Sequence, residues 1–498
     1  MPEFEFVNVA RPGDVKRHST KIRRHVMKDI GKARRKPRAK TRGEVVVIGE
    51  NSSPAGKDGD TSQRGSSSTT SLVLPDPRGD SILQTLPYPI DMNEERLSLI
   101  RYVVDEAKSH YRPFRFTWLT MGLSDTAAWH ITLANAASYR QASQLPPGST
   151  AEYSCSVEAM KWYTLSLASI TKRLADPNEK DTEGLIVAIT GFVCHDATIG
   201  NFDRFRIHME GLQRIINKKG GLDALNSPFL RLMISWLDLI GATYYNSKPR
   251  FSIPEGSIRE IDTGNDSQYL QQLLSSWDAD CPTLGDIMSA MKATAAVASY
   301  INHRPADDGF WTDDVAVARL LGPAFHEILS LDGRALPTNT SDPNYSATAA
   351  REAFRRAALV FLAAVKAKMG AGAFEMDRHL DAFRQISQLP LVDWGVVPEL
   401  NLWAHVVSAM QEESPSRAWH ILTIVGIMET MGLRTGGQAV DVARGIIWVD
   451  AIDGGKSDLL CREIDGYLEA SMARGLGGVG VGVSLDPRLD DLSGGVGS

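Results

Sequence analysis

The stretch FDRFRIHMEGLQRIINKKGGL, residues 202–222, decides the fold of this chain. Its apolar residues recur at steps of three and four, the spacing of one face of an α-helix. These apolar residues are Met209, Leu212, Ile215 and Ile216. Gly220 can adopt the left-handed conformation that ends a helix. We expect Gly211 to permit close contact with the preceding helix, and we expect Arg204 and Arg206 on the outer side.

The two segments before this stretch have the same helical spacing. In residues 154–175 the recurring apolar residues are Met160, Tyr163, Leu167, Ile170 and Leu174, after a possible N-cap at Ser154. In residues 183–199 they are Leu185, Ile186, Ile189, Phe192 and Val193. Long alternating patterns, which are typical of strands, are missing from the rest of the chain. The sequence therefore predicts an all-α fold, a large irregular body of about fifteen helices.

Length and composition narrow the class of protein. The chain has 498 residues, of which 43% are hydrophobic and 23% charged, close to the values of globular proteins. Its four cysteines form no C-x-x-C pair, so no zinc module or disulfide framework is predicted, and we expect a reducing compartment. The N-terminus has no apolar segment of the secretory type, and the longest apolar run, residues 357–365, is too short to cross a bilayer. We expect a soluble intracellular protein without membrane contact.

The composition also divides the chain into four segments. Residues 1–48 form a basic arm, and residues 49–86, rich in Ser, Gly, Asp and Thr, have too few large apolar residues to form a core. We interpret 49–86 as a flexible linker. Residues 87–472 form the helical body, and residues 473–498 form a Gly-rich tail that we expect to be disordered.

The basic arm has the charge of a segment that binds polyanions. Residues 1–42 contain fourteen Lys or Arg and four acidic residues, a net charge of +10, which leaves −16 for the rest of a chain whose total is −6. Val15, Ile22, Val26 and Ile30 fall on one side of a helix whose other sides are basic. A helix of this kind can lie on a phosphate backbone, a membrane surface or an acidic partner. The apolar side lacks Trp, Phe and Leu anchors, which disfavours a membrane.

The arm continues into a dense basic cluster of the nuclear-import type, KARRKPRAKTR, residues 32–42. We expect these basic residues to contact an import receptor or, weakly and electrostatically, DNA; a solvated charge run without a receptor is the alternative. The candidate contact residues are Arg23, Arg24, Lys28, Lys32, Arg34, Arg35, Lys36, Arg38, Lys40 and Arg42.

The pattern H-x-x-G-L-x-x-I-I-x-x-x-G-G that begins at His208 resembles the regulatory domain of fungal zinc-cluster transcription factors. The segments SVEAMKWYTLSLASITKRLAD and DTEGLIVAITGFVCHD before it, and REAFRRAALVFLAAV and VDVARGIIWVDAI after it, are also similar to this family. The resemblance spans about residues 90–455, and the N-terminal segment FVNVARPGDVKRHSTKIRRHVMKDIGKARRKPR is similar to a leader of some members. It implies an all-α regulatory domain in the nucleus, and control of a metabolic pathway or gene cluster. The six-cysteine zinc cluster of the family has no counterpart here, because no Cys precedes Cys155.

Other motifs have ordinary structural interpretations. The pair His195-Asp196 is found in metal phosphohydrolases, with His208 and Asp203 as conceivable further ligands, but one dipeptide does not specify a metal site. We expect His195 to be a helix-end histidine and Asp196 a solvated acid. The tail sequence GLGGVG, residues 475–480, satisfies G-x-G-x-x-G without a strand and helix around it. Cys155 and Cys194, and six tryptophans, are expected in the core. The six are Trp118, Trp129, Trp162, Trp236, Trp403 and Trp448.

The sequence thus favours a nuclear, non-enzymatic regulator of transcription without a cofactor, whose body binds a protein partner or a small effector. Two other functions stay open. One is a helical ligand-binding protein or enzyme that uses the same body, and the other is a scaffold outside transcription. DNA binding that depends on salt would distinguish the regulator from the scaffold.

Overall fold

The computed structural model describes residues 80–105, 114–144, 156–176, 178–179, 182–253, 256–258, 268–304, 309–342, 344–368, 373–389 and 397–473. The basic arm, linker residues 49–79 and tail residues 474–498 lie outside this range. Seventeen α-helices make up the described part, which has no strand, so the predicted all-α class is confirmed.

The helices are joined by connections of 3 to 22 residues. The first nine are α1 (Asp80–Thr85), α2 (Glu94–Val104), α3 (Arg115–Gly122), α4 (Thr126–Ala142), α5 (Val157–Leu174), α6 (Glu183–Thr198), α7 (Phe202–Lys219), α8 (Pro228–Tyr245) and α9 (Gln268–Asp280). The last eight are α10 (Ile287–Asn302), α11 (Asp314–Ser330), α12 (Tyr345–Lys368), α13 (Met376–Ser387), α14 (Pro398–Ala409), α15 (Ala418–Met431), α16 (Gly436–Ile446) and α17 (Lys456–Ala473). Helix α1 occupies the end of the segment predicted as linker, and its Leu83 is buried. None of the described helices is long and apolar enough to cross a membrane.

Capping residues define several helix ends, as the sequence indicates. Asn201 accepts a hydrogen bond from the backbone N–H of Arg204 at the start of α7. Ser227 does the same for Leu230 at the start of α8, where Pro228 occupies the first turn. Gly220 ends α7 with φ +105°, a conformation that glycine adopts without a Cβ clash. The predicted cap of α7 is therefore confirmed.

Two helices form the centre of the body. Helix α6 is buried from Leu185 to Asp196, and helix α12 is buried over most of its 24 residues. A helix that is buried on every side must be surrounded by other elements. Helices α4, α5, α7 and α8 pack on α6, and α11, α13 and α14 pack on α12. Because α8 also packs on α11, one continuous hydrophobic core joins the two central helices.

The apolar stripe predicted for α5 is wrong at three of its five residues. Tyr163 and Ile170 are buried, but Met160, Leu167 and Leu174 are exposed, each by 40–44%. The buried face consists instead of Ala159, Trp162, Tyr163, Ser166 and Ile170. Helix α5 begins one residue after its N-cap Ser156, and the predicted cap, Ser154, lies outside the described residues. The sequence pattern could not separate the two faces because both carry apolar residues.

The contact predicted at Gly211 is also wrong. A Cβ built on Gly211 would have no neighbour within 4 Å, so this glycine borders open space. Close approach occurs at two other glycines. A Cβ on Gly241 of α8 would lie 2.4 Å from Phe205 Cε1 of α7, and a Cβ on Gly191 of α6 would lie 2.5 Å from Ile131 Cγ2 of α4. These two glycines permit the tight packing of α7 on α8 and of α6 on α4.

Candidate functional site

A buried carboxylate, Asp196, lies near the end of α6 and faces α7. Its side chain is fully buried, and its Oδ1 accepts hydrogen bonds from Arg204 Nε at 3.0 Å and from Arg204 Nη2 at 2.6 Å. Arg204 extends from the first turn of α7 and is 32% exposed. The ion pair therefore joins a buried acid to a partly solvated base. The sequence expectations of a solvated Asp196 and an outward Arg204 are wrong.

His208 completes the surroundings of this carboxylate. Its Nε2 lies 3.6 Å from Asp196 Oδ2, beyond hydrogen-bond distance, and 3.1 Å from the Tyr163 hydroxyl of α5. The Arg204 guanidinium lies 4.8 Å from the centre of the Tyr163 ring, a cation–π distance. Asp196 Oδ2 has no hydrogen-bond partner among the described residues. Side chains of α5, α6 and α7 thus converge on Asp196.

His195, next to Asp196, points toward α4. Its Nδ1 lies 2.9 Å from Asn135 Oδ1, and Asn135 Nδ2 donates to the Gly191 carbonyl at 3.4 Å. Because Asn135 uses its amide nitrogen for that carbonyl, its oxygen accepts from His195, which places a proton on Nδ1. His195 is fully buried and packs 5.2 Å from the Tyr163 ring, in the interior of the helix bundle.

Burial governs the ionisation of this cluster. It raises the pKa of Asp196 to about 7, although Arg204 acts in the opposite direction. Burial, and to a smaller extent the Arg204 charge, lower the pKa of His195 to about 3 and the pKa of His208 to about 4. At neutral pH both imidazoles are therefore uncharged, and Arg204 is the cation that faces Asp196.

A metal site at His195-Asp196 is not supported by the geometry. Asp203, a conceivable ligand, is exposed on α7, and His195 is directed to Asn135. The described residues include no group of three or more His, Cys, Asp or Glu side chains arranged to hold a metal ion. What the arrangement can do is fix the angle between α6 and α7, because a misplaced α7 would leave the buried acid without its base.

A second cluster of the same composition lies between α13, α14 and α15. Glu412 is buried, its Oε1 accepts from Arg384 Nη2 at 2.7 Å, and its Oε2 lies 3.6 Å from His420 Nε2. His420 Nδ1 lies 3.0 Å from His405 Nδ1. Burial raises the pKa of Glu412, lowers the pKa of His405 to about 3, and lowers the pKa of His420 strongly. Both clusters combine one buried acid, one arginine and two uncharged histidines.

A third cluster holds the central helix α12. Arg351 is fully buried and donates to both carboxylate oxygens of Asp286, at 3.1 and 2.6 Å. Arg355 donates to Glu352 at 3.2 Å and to Asn246 Oδ1 at 2.7 Å. Burial alone would raise the pKa of Asp286, but Arg351 and Arg334 outweigh it and lower the pKa. Three charges of the segment REAFRR, those of Arg351, Glu352 and Arg355, are therefore paired with opposite charges inside the body.

The structure brings together few of the residues singled out from the sequence. The ten candidate contact residues of the arm, from Arg23 to Arg42, lie outside the described residues, as do Cys155 and the GLGGVG segment. The six tryptophans are buried, which confirms their place in the core. Cys194 is also buried, with its pKa raised to about 11 by burial. A small cavity beside Phe361 and Trp448 has room for about one water molecule.

Sequence reasoning missed most of the buried polar residues. Arg384 precedes Glu412 by 28 residues and lies on another helix, and nothing in the local sequence marks Arg384, Glu412 and His420 as a cluster. One signal was present for the first cluster: Asp196, Arg204 and His208 follow one another at spacings of eight and four residues, across the connection between two adjacent helices. An acid at the end of one helix and a base in the first turn of the next can meet when the two helices are antiparallel neighbours.

Comparison with known proteins identifies a family for this chain. The sequence model of a protein family, the fungal specific transcription factor domain, matches residues 95–389. The matched residues run from α2 to the end of α13 and include the Asp196 and Asp286 clusters. The similar segment VDVARGIIWVDAI lies beyond the matched residues. A search of curated proteins and a search of solved structures gave no match. Because the match covers more than half of the 498 residues, the chain belongs to the family of proteins with a fungal specific transcription factor domain.

Proposed function

We propose that this chain is a nuclear regulator of transcription that acts without a zinc cluster of its own. The observation that carries the proposal is the family match over residues 95–389, since this domain belongs to transcription factors. The absence of any C-x-x-C pair from the printed sequence supports the second half of the proposal. Membership of the family makes transcriptional regulation the general function, and control of a metabolic pathway or gene cluster is the specific role we propose.

The basic arm, residues 1–48, is proposed to carry the body into the nucleus and to contact DNA. A net charge of +10 within residues 1–42 gives the arm an electrostatic attraction to phosphates and to acidic receptor surfaces. Contacts to phosphates fix position along DNA but do not read its sequence. Selection of target genes then depends on a protein partner or on an effector bound by the helical body.

The first experiment locates the protein in living cells. The full chain carries a fluorescent tag, and Arg34, Arg35, Lys36 and Arg38 are changed to alanine. We expect loss of nuclear accumulation. A matched control removes four exposed basic residues of the body and should stay nuclear: Lys172, Arg214, Lys368 and Arg462. A wild-type protein that stays in the cytoplasm, or one whose distribution ignores the loss of the arm residues, would contradict the proposal.

The second experiment tests the transcriptional role. The tagged wild-type chain is crosslinked in cells and the attached DNA is sequenced. We expect enrichment at discrete genomic sites, with altered transcripts from the neighbouring genes when the chain is removed. Uniform recovery of DNA, with unchanged transcripts, would favour the scaffold. A small molecule that copurifies with the body would favour the ligand-binding protein or enzyme.

A further inference from the structure

Helix α5 carries a second apolar face, on its solvent side. This face, here called the α5 seam, consists of Val157, Met160, Thr164, Leu167, Thr171 and Leu174, all exposed. Val157 is 90% exposed, the largest value among the exposed large hydrophobic residues. The steps between seam residues alternate between three and four, which is the spacing of the a and d positions of a coiled coil. The buried face of α5 is formed by different residues, so the core does not account for the seam.

The hydroxyl groups of the two seam threonines are already hydrogen-bonded within α5. Thr164 Oγ1 donates to the Met160 carbonyl at 2.8 Å, and Thr171 Oγ1 donates to the Leu167 carbonyl at 2.8 Å. Because each hydroxyl is satisfied by the backbone of its own helix, each threonine can present its methyl group to a neighbour without the loss of a hydrogen bond. The seam is therefore a continuous apolar strip along the whole of α5.

The α5 seams of two copies of the chain are complementary when a twofold axis relates them. When a second α5 lies antiparallel, with the axis between residues 165 and 166, Val157 meets the partner's Leu174. Met160 then meets the partner's Thr171, and Thr164 meets the partner's Leu167. Every pair joins a larger side chain to a smaller one, which is the arrangement that fills space between two helices.

The area is sufficient for a weak dimer. Helix α5 has 18 residues and is about 27 Å long. Two such helices side by side bury on the order of 1,000 Å² in total, the lower limit of a specific interface. An interface of this size fits an equilibrium between monomer and dimer rather than a permanent assembly.

We propose that the α5 seam binds the α5 seam of a second copy of this chain, antiparallel, to form a symmetric dimer. The contact is isologous, because both subunits use the same surface. It leaves the Asp196 cluster, on the inner side of α5, unchanged. The dimer would present two basic arms, and simultaneous contact of both arms would strengthen DNA binding without any new contact in either subunit.

The test measures the oligomeric state of the full chain by sedimentation velocity at concentrations up to about 100 µM, at which a dimer with a Kd of about 1–10 µM would be largely formed. We expect the mass to rise with concentration from 54.5 kDa toward twice that value. Leu167→Glu should raise the Kd at least about tenfold, since a charge would be buried without a partner. Leu165→Glu is the matched control, because Leu165 and Leu167 are similarly exposed, by 43% and 40%. The two leucines lie on opposite flanks of α5, and only Leu167 belongs to the seam. This control should dimerise like the wild type.

A disulfide experiment tests the orientation of the helices. The double variant Thr164→Cys, Leu167→Cys should form a disulfide-linked dimer under mild oxidation, because residues 164 and 167 meet across the axis. The control is the double variant Leu165→Cys, Lys172→Cys, which has the same native cysteines. It should not form a disulfide-linked dimer. A wild-type chain that is monomeric throughout would overturn the proposal, and so would equal effects of Leu165→Glu and Leu167→Glu or equal crosslinking of the two cysteine pairs. Circular dichroism confirms that each variant is folded.

Discussion

Arg204 Nη2 lies 2.6 Å from Asp196 Oδ1, which joins the first turn of α7 to the end of α6 through a fully buried carboxylate. His208 and Tyr163 surround the same carboxylate from α7 and α5. Since His208 begins the H-x-x-G-L pattern, the most specific sequence motif of the chain contributes to a structural contact between helices. His208 is partly buried there, and its lowered pKa of about 4 leaves it uncharged at neutral pH.

Loss of the Arg204 side chain should destabilise the body. Arg204→Ala removes the ion-pair partner of the buried Asp196, and at pH 8, above the Asp196 pKa of about 7, it is expected to lower the free energy of unfolding by about 1–3 kcal/mol. Arg206→Ala, two residues away and exposed, should change it by less than about 0.5 kcal/mol. Urea unfolding of both variants measures the difference. Equal stability of the two would mean that the ion pair contributes nothing to the fold.

Two glycines should respond to alanine in opposite directions. Gly241→Ala places a Cβ 2.4 Å from Phe205 Cε1 and should cost about 1–3 kcal/mol. Gly211→Ala faces open space within α7 and should stabilise the protein by about 0.5–1 kcal/mol, because alanine favours the helix. Thermal unfolding of the two variants distinguishes these effects. Destabilisation by Gly211→Ala would restore the helix contact that the sequence predicted there.

Acidification below pH 6.5 should destabilise the protein through its buried histidines. The pKa of His195, His379 and His405 is lowered to about 3 by burial, so each is neutral when folded and takes up a proton when unfolded. The unfolded state then binds more protons, and stability falls as the pH drops from 6.5 toward 4. Asp196 acts in the opposite direction, because its folded pKa of about 7 lies above its unfolded value and favours the folded state at low pH.

A single substitution isolates the contribution of one histidine to this pH dependence. His405→Gln should reduce the slope of unfolding free energy against pH by about 1.4 kcal/mol per pH unit within the window, the value of one proton. His303→Gln is the matched control, since His303 is exposed. Urea midpoints measured from pH 4 to 7 give both slopes. A slope unaffected by His405→Gln would show that His405 is charged in the folded state.

The basic arm should act on binding and not on stability. Deletion of residues 1–48 is expected to leave the unfolding transition of the body unchanged. Affinity for duplex DNA of arbitrary sequence should fall steeply as the salt concentration rises. Each phosphate contact contributes about 0.9 to the slope of log affinity against log salt. Replacement of four basic residues by alanine, at Arg34, Arg35, Lys36 and Arg38, should therefore reduce the magnitude of that slope by about 3–4. Fluorescence anisotropy at several salt concentrations measures it. Tight binding that ignores salt and selects one sequence would contradict the electrostatic mechanism.

The sequence by itself determined the helical class, the ends of α7 and the family. Apolar spacing and capping are local properties, and Met209, Leu212, Ile216 and Gly220 behave as that spacing predicts. Tertiary structure decided which of the two apolar faces of α5 is buried and which glycines form close contacts. It also decided which carboxylates are buried away from solvent. Asp196 is buried because α4, α5 and α7 cover α6 from different sides, and Glu412 meets Arg384 and His420 across three elements. Periodicity gives the faces of a helix, but the neighbours of each face depend on residues distant in the chain.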